Sequence, residues 1–197
     1  MESLKTQTDE QLVTLYAKGN NNAFDVLLYR YKNKIYSYIH FTVHNEALAD
    51  DLFQETFVKA IIRIQKGKYV ESGKFSAWII RIAHNLIMDQ FRIEKGENTV
   101  SNDEIGNDLF NDTKFSELDI ESQIANEQTI RDLNRLVKTL PGCQREVVYM
   151  RFYQNLSFKE IADITGVSIN TALGRLRYAL LKMKRTAEEN HISLTIY

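Results

Sequence analysis

The chain has 197 residues, room for one or two small domains, and 44% of them are hydrophobic, which excludes wholesale disorder. Its single cysteine, Cys143, excludes an internal disulfide and a cysteine-based zinc site, and reads as a small buried hydrophobe. The net charge of −1 hides an uneven distribution: residues 1–96 carry +2, residues 97–127 carry −8 and residues 128–197 carry +5.

The N-terminal stretch, 1–22, is polar and lacks the apolar core of a signal peptide. No run approaches the ~20 apolar residues that cross a bilayer. A soluble, cytoplasmic protein without membrane insertion is therefore expected. Apolar residues recur at spacings of three and four, the helical signal. Phe24, Leu27, Leu28, Tyr31, Ile35 and Tyr38 make one stripe. Leu48, Leu52, Phe53, Phe57, Ala60, Ile61 and Ile64 make a second. Trp78, Ile79, Ile82, Leu86, Ile87 and Phe91 make a third, so residues 10–95 are expected to form one all-helical domain.

Within this domain Glu46, Asp50, Asp51 and Glu55 fall on one helical face, with Gln54 among them. Spacing alone allows either a solvated face or a docking surface for a basic partner. A basic stretch follows: Arg63, Lys66, Lys68, Lys74, Arg81, Arg92 and Lys95 are candidate phosphate contacts. Residues 68–75 read as a loop, and its aromatics Tyr69 and Phe75 suit either base stacking or the core. Trp78 suits the core better than a wedge into DNA. Asn85, Asp89 and Arg92 share a helical face and are polar candidates for base contacts; Asp89, repelled by phosphate, would orient Arg92 or accept from a base amine.

From residue 97 to 126 the periodicity decays into turn formers such as Asn98, Ser101, Asn102, Gly106 and Asn107. The segment is expected to be a flexible acidic linker. Periodicity returns with Ile130, Leu133, Val137 and Leu140 until Pro141-Gly142 stops that helix. Val147, Val148, Met150 and Phe152 indicate another. Ser157 and Glu160 have the spacing of a capping box. Behind it Ile161, Ala162 and Ile164 face inward. Gly166 sits where the chain must turn with positive φ, Val167 plugs the turn, and Ser168 offers the next N-cap.

The last helix, expected over about 169–185, has Ala172, Leu176, Ala179, Leu180 and Met183 as its buried stripe. Thr171, Arg175, Tyr178 and Lys182 lie on another face, with Arg177, Lys184 and Arg185 around it. This is a helix-turn-helix whose second helix is apolar on one side and basic on the other, as entry into a DNA major groove requires. Solvated basic residues favoured by the macrodipole are the bland alternative. The capping box, the small residue at the crossing and the turn glycine together favour DNA binding.

Two sets of motifs resemble one known family. Leu140-Pro141, Gln144-Arg145-Glu146-Val147, Leu156 to Ala162, Val167 and Thr171 to Ala179 resemble the C-terminal domain of sigma-70-type RNA polymerase sigma factors. Ala49 to Phe57, Phe75 to Ile79, Ile82 to Leu86 and Asp89 to Arg92 resemble the N-terminal domain of the same family. The short two-domain layout is that of its extracytoplasmic-function group.

The resemblance implies an all-α fold with two small helical domains: residues 1–96 (region 2, polymerase and −10 binding), linker 97–126, and residues 127–197 (region 4, −35 binding). It implies −35 contacts from Ser168, Asn170, Thr171, Gly174, Arg175, Arg177, Tyr178 and Lys182. The −10 contacts implied are Lys68, Tyr69, Lys74, Phe75, Arg81, Asn85, Asp89 and Arg92, with a loop that captures a flipped base. Polymerase binding falls to Asp50, Asp51, Gln54 and Glu55. The partners implied are promoter DNA, the clamp helices and flap of core polymerase, and an anti-sigma factor. Leu173 and Gly174 depart from the family's pattern, where many members have a basic residue and a serine, so the −35 preference does not carry over.

No catalytic, cofactor or metal site is expected. There is no P-loop, dinucleotide fingerprint or nucleophile elbow, and His40 and His44 lack a third ligand nearby. The alternative reading is a helix-turn-helix regulator that is not a sigma factor, which would place a sensor domain in residues 1–96.

Overall fold

A computed structural model describes residues 2–69, 74–95, 127–190 and 192 of the chain. The expected linker, residues 97–126, and residues 70–73 of the expected loop lie outside the described residues, as do the side chains of Lys95 and Ile130. Every regular element among the described residues is helical. The chain divides into two compact units, one ending at Asn98 and the other beginning at Thr99.

The first unit holds α1 (Glu2–Lys5), α2 (Asp9–Ala17), α3 (Asn21–Val43), α4 (Glu46–Gln65) and α5 (Phe75–Lys95). Local chemistry sets the boundaries. Thr8 caps α2 in a capping box with Gln11, whose side chain accepts from the Thr8 amide at 2.9 Å. His44 closes α3 with left-handed backbone, φ 52°, and Asn45 caps α4 by accepting from the Leu48 amide at 3.1 Å. The apolar stripes then make α3 the central element, packed on α2, α4 and α5. Leu12, Leu27, Ile35, Ile39, Ala60, Ile79 and Ile87 meet at their junction with no exposure.

Several polar side chains of this core bond to neighbouring helical groups. The hydroxyls of Thr42 and Thr56 donate to the carbonyls of Tyr38 and Leu52, four residues back, at 2.8 and 2.7 Å. The hydroxyl of Tyr38 and Nδ1 of His84 lie 3.1 Å apart, tying α3 to α5.

The second unit holds α6 (Glu127–Lys138), α7 (Gly142–Val148) running into a π-helical turn (Tyr149–Tyr153), α8 (Phe158–Thr165) and α9 (Ile169–Glu189). Pro141, expected only to stop α6, is also the N-cap of α7, where its fixed φ suits a helix start. Helix α9 lies across α7 and α8. Val147, Met150, Leu156, Ile161, Ala172 and Ala179 are fully buried. Arg145 and Glu146 are buried as well. Burial lowers the Arg145 pKa.

Candidate nucleic-acid and polymerase interface

The helix-turn-helix is built by three capping devices. The Ser157 hydroxyl accepts from the Glu160 amide at 3.3 Å, and the Glu160 carboxylate accepts from the Ser157 amide at 2.7 Å. Gly166 ends α8 at φ 71°, the left-handed conformation that glycine adopts without a Cβ clash. Ser168 starts α9, its hydroxyl accepting from the Thr171 amide at 3.0 Å and lying 2.8 Å from the Thr171 hydroxyl. Together they fix the angle at which α9 leaves α8.

On α9 the candidate DNA contacts lie outside the packed stripe of Ala172, Leu176 and Ala179. Thr171, Tyr178 and Lys182 are exposed, and Arg175 is half-buried in the same row. Asn170, Gly174 and Arg177 form an adjacent row, with Asn170 and Arg177 exposed. A Cβ added at Gly174 would meet nothing within 4 Å, so the backbone there is open to a partner. Beyond them, Lys184 and Arg185 pair with Glu188 and Glu189 at 4.0 and 2.8 Å.

One expectation for the buried stripe fails. Leu180 is 45% exposed, and it lines up with Ile169 and Leu173, also exposed, at spacings of four and seven. That row lies beside the strip of α9 covered by α7 and α8, so a periodic leucine there is left to solvent.

In the first unit Glu46, Asp50, Asp51, Gln54 and Glu55 are all exposed on α4. Glu55 pairs with Lys59 at 3.0 Å, which partly offsets the like-charge repulsion. Partial burial, then the neighbouring Asp50 carboxylate, raises the pKa of the Tyr36 phenol. The α4 surface thus presents carboxylates as acceptors for a basic partner.

The candidate −10 residues split into two groups. Arg81, Asn85, Asp89 and Arg92 share one face of α5, with the first three exposed and Arg92 half-buried. Asp89 and Arg92 form an ion pair at 3.0 Å, one of the two roles expected for Asp89. Lys68 and Lys74 are exposed within the α4–α5 connection. Phase along the chain separates the aromatics. Phe75 is fully buried, and as the first residue of α5 it points into the core; it is withdrawn as a DNA contact. Tyr69 is half-buried, edge-on to Trp78 at 4.9 Å, and Trp78 itself is half-buried.

Sequence reasoning passed over two features. One is the Tyr38–His84 pair that ties α3 to α5. The other is a polar knot of Asp9, Arg30 and Tyr31, whose partners lie 21 and 22 residues apart. Among the described residues no group of three or more His, Cys, Asp or Glu side chains could hold a metal ion. No helix among them is long and apolar enough to cross a membrane.

Two family models match separate parts of the chain. Residues 27–96 match the Sigma-70 region 2 family model, and residues 136–185 match the Sigma-70, region 4 model. The chain is 32% identical over 175 residues to the ECF RNA polymerase sigma factor BldN of Streptomyces coelicolor, covering 87% of this chain and 62% of BldN. It is 30% identical over 145 residues to the ECF RNA polymerase sigma factor SigM of Bacillus subtilis, covering 73% of this chain and 82% of SigM. In fold it is similar to the sigma factor RpoE of Bartonella quintana, solved in complex with the anti-sigma factor NepR, with TM-score 0.63, 17% identity, and coverage of 84% of this chain and 96% of RpoE.

Proposed function

The chain belongs to the sigma-70 family of RNA polymerase sigma factors, in its extracytoplasmic-function group, and from that premise we propose how its surfaces divide the work of promoter recognition. Sigma factors direct core polymerase to promoters and start transcription, and in general they are not enzymes. The match of residues 27–96 to region 2 sets aside the sensor domain that a non-sigma regulator would carry.

In this reading residues 1–96 bind polymerase and the −10 element, residues 127–197 bind the −35 element, and residues 97–126 tether them. Asp50, Asp51, Gln54 and Glu55 on α4 accept from basic groups of the polymerase clamp helices. Lys68, Lys74, Arg81 and Arg92 bind phosphates of the −10 strand, while Tyr69, Asn85 and Asp89 meet its bases. On α9, Ser168, Asn170, Thr171, Gly174 and Arg175 face base edges near the helix N-terminus, and Arg177, Tyr178 and Lys182 contact the backbone. Tethering raises the effective concentration of each domain at its own element, so neither needs to bind tightly alone. Strand opening is driven by binding energy for the unpaired strand, with no covalent step catalysed by this chain. Such a protein works in the cytoplasm, and an anti-sigma factor is its expected regulator, as the RpoE–NepR complex illustrates for a protein of the same fold.

The observation that carries this reading is the pair of exposed polar faces, α5 and α9, in units that match regions 2 and 4 separately. Mixing the chain with core polymerase and selecting bound DNA from a random library tests it. Recovery of two conserved elements at fixed spacing is expected. Recovery of a single palindrome bound without polymerase would point to the regulator instead.

A further inference from the structure

The polar knot behind α3 connects to the candidate promoter-reading residues. Asp9, first in α2, receives a hydrogen bond from Nη1 of Arg30 at 2.7 Å on Oδ1 and one from the Tyr31 hydroxyl on Oδ2. Nη2 of Arg30 donates to the carbonyls of Lys5 and Gln7, both at 2.8 Å. One carboxylate and one guanidinium thus fix the N-terminal segment and the Tyr31 ring together. Burial and the Asp9 carboxylate raise the Tyr31 pKa, which keeps the phenol a donor at all physiological pH.

The ring of Tyr31 then packs against Phe75, centroids 5.1 Å apart. Phe75 contacts Trp78 at 5.5 Å and Tyr69 at 6.1 Å, and Tyr69 meets Trp78 edge-on at 4.9 Å. Tyr69 lies within the α4–α5 connection, next to Lys68, and Phe75 opens α5, next to Lys74. The cluster therefore holds Tyr69 against the start of α5, and Tyr31 is the ring on which Phe75 rests.

We infer that Asp9 and Tyr31 are positioning residues for promoter opening: through Phe75 they hold Lys68, Tyr69 and Lys74 in the geometry that takes the unpaired −10 strand. The inference rests on the proposed −10 role of those three residues. Binding groups held in place ahead of contact lose less freedom on binding than mobile ones. A hydrogen-bonded carboxylate at the base of an aromatic stack supplies that restraint without touching DNA.

Trp78 is the only tryptophan of the chain, so its fluorescence reports on the cluster directly. The test uses Asp9→Asn and Tyr31→Phe in the full chain; Tyr31→Phe keeps the ring and removes only the hydroxyl. Two measurements are made. In the free chain, acrylamide quenching of Trp78 is expected to increase in both variants. In holoenzyme, affinity for a fork DNA with a single-stranded −10 non-template segment is expected to fall about tenfold, while core polymerase affinity and binding to duplex −35 DNA stay unchanged. Tyr69→Ala and Lys74→Ala are the controls. If the controls weaken fork binding and Tyr31→Phe does not, the positioning role is overturned and the −10 reading stands. If the controls leave fork binding unchanged, the −10 reading fails and takes the inference with it. Equal losses in core, −35 and fork binding would mean general destabilisation and would also overturn it.

Discussion

Asp89 and Arg92 form an ion pair at 3.0 Å on the solvent face of α5, one helical turn apart. Both side chains are exposed enough for water to screen the pair, so it adds little to stability, about 0–1 kcal/mol. In the proposed reading it aims the guanidinium. Asp89→Ala is expected to leave the melting temperature unchanged and to alter the −10 sequence selected by holoenzyme. Arg92→Ala is expected to weaken binding to all promoters and to reduce the slope of log affinity against log salt by about one.

Gly174 lies inside α9 where a side chain would have free space. Glycine in a helix interior costs roughly 1 kcal/mol relative to alanine. Gly174→Ala should therefore stabilise the protein by about that amount in urea unfolding. If Gly174 lies against DNA as proposed, the same change shifts the preferred −35 sequence. A destabilised variant would show that space at this position is occupied.

The Ser157–Glu160 capping box sets the start of α8 and so the platform for α9. Ser157→Ala should cost about 1 kcal/mol and weaken −35 binding, with −10 fork binding unaffected. Loss of both activities together would contradict independent roles for the two units.

Asp51 and Glu55 are solvent-exposed on α4, so reversing their charge places no charge in the core. The double change to lysine should lower core polymerase affinity by tenfold or more, with circular dichroism unchanged. Unaltered polymerase affinity would mark this face as merely solvated.

Burial raises the pKa of the Cys143 thiol above its ordinary 9.0, with Glu146 acting in the same direction and Arg175 opposing. A folded pKa above the unfolded one favours the protonated, folded state below about pH 9, and that contribution is lost as pH rises through the folded value. Cys143 should therefore react slowly with a disulfide reagent at pH 8 in the native protein and rapidly in urea. Fast native reaction would place the thiol at the surface.

Helices and caps were legible because each depends on residues within one turn of each other. The stripe of α3 and the Ser157, Gly166 and Ser168 signals required nothing remote. Site residues were legible to the extent that helical phase decided them: Arg81, Asn85, Asp89 and Arg92 share a face by spacing alone. Where phase depends on an unknown helix start, the sequence left two readings, and only the start of α5 at Phe75 sends that ring inward while Tyr69 stays half-exposed. Leu180 was misassigned because periodicity gives direction and not the reach of the covering helices. Burial of Arg145 and Glu146 and the Asp9–Arg30–Tyr31 knot depend on tertiary contacts, which leave no local pattern.

The most direct test of the central claim is RNA synthesis from a linear template by core polymerase with and without this chain. The template carries the promoter recovered by selection. The account predicts a single start site a fixed distance downstream of the −10 element, only when the chain is present, and its loss when the −10 element is scrambled. Equal initiation by core polymerase alone, or a requirement for another sigma factor alongside this chain, would contradict it.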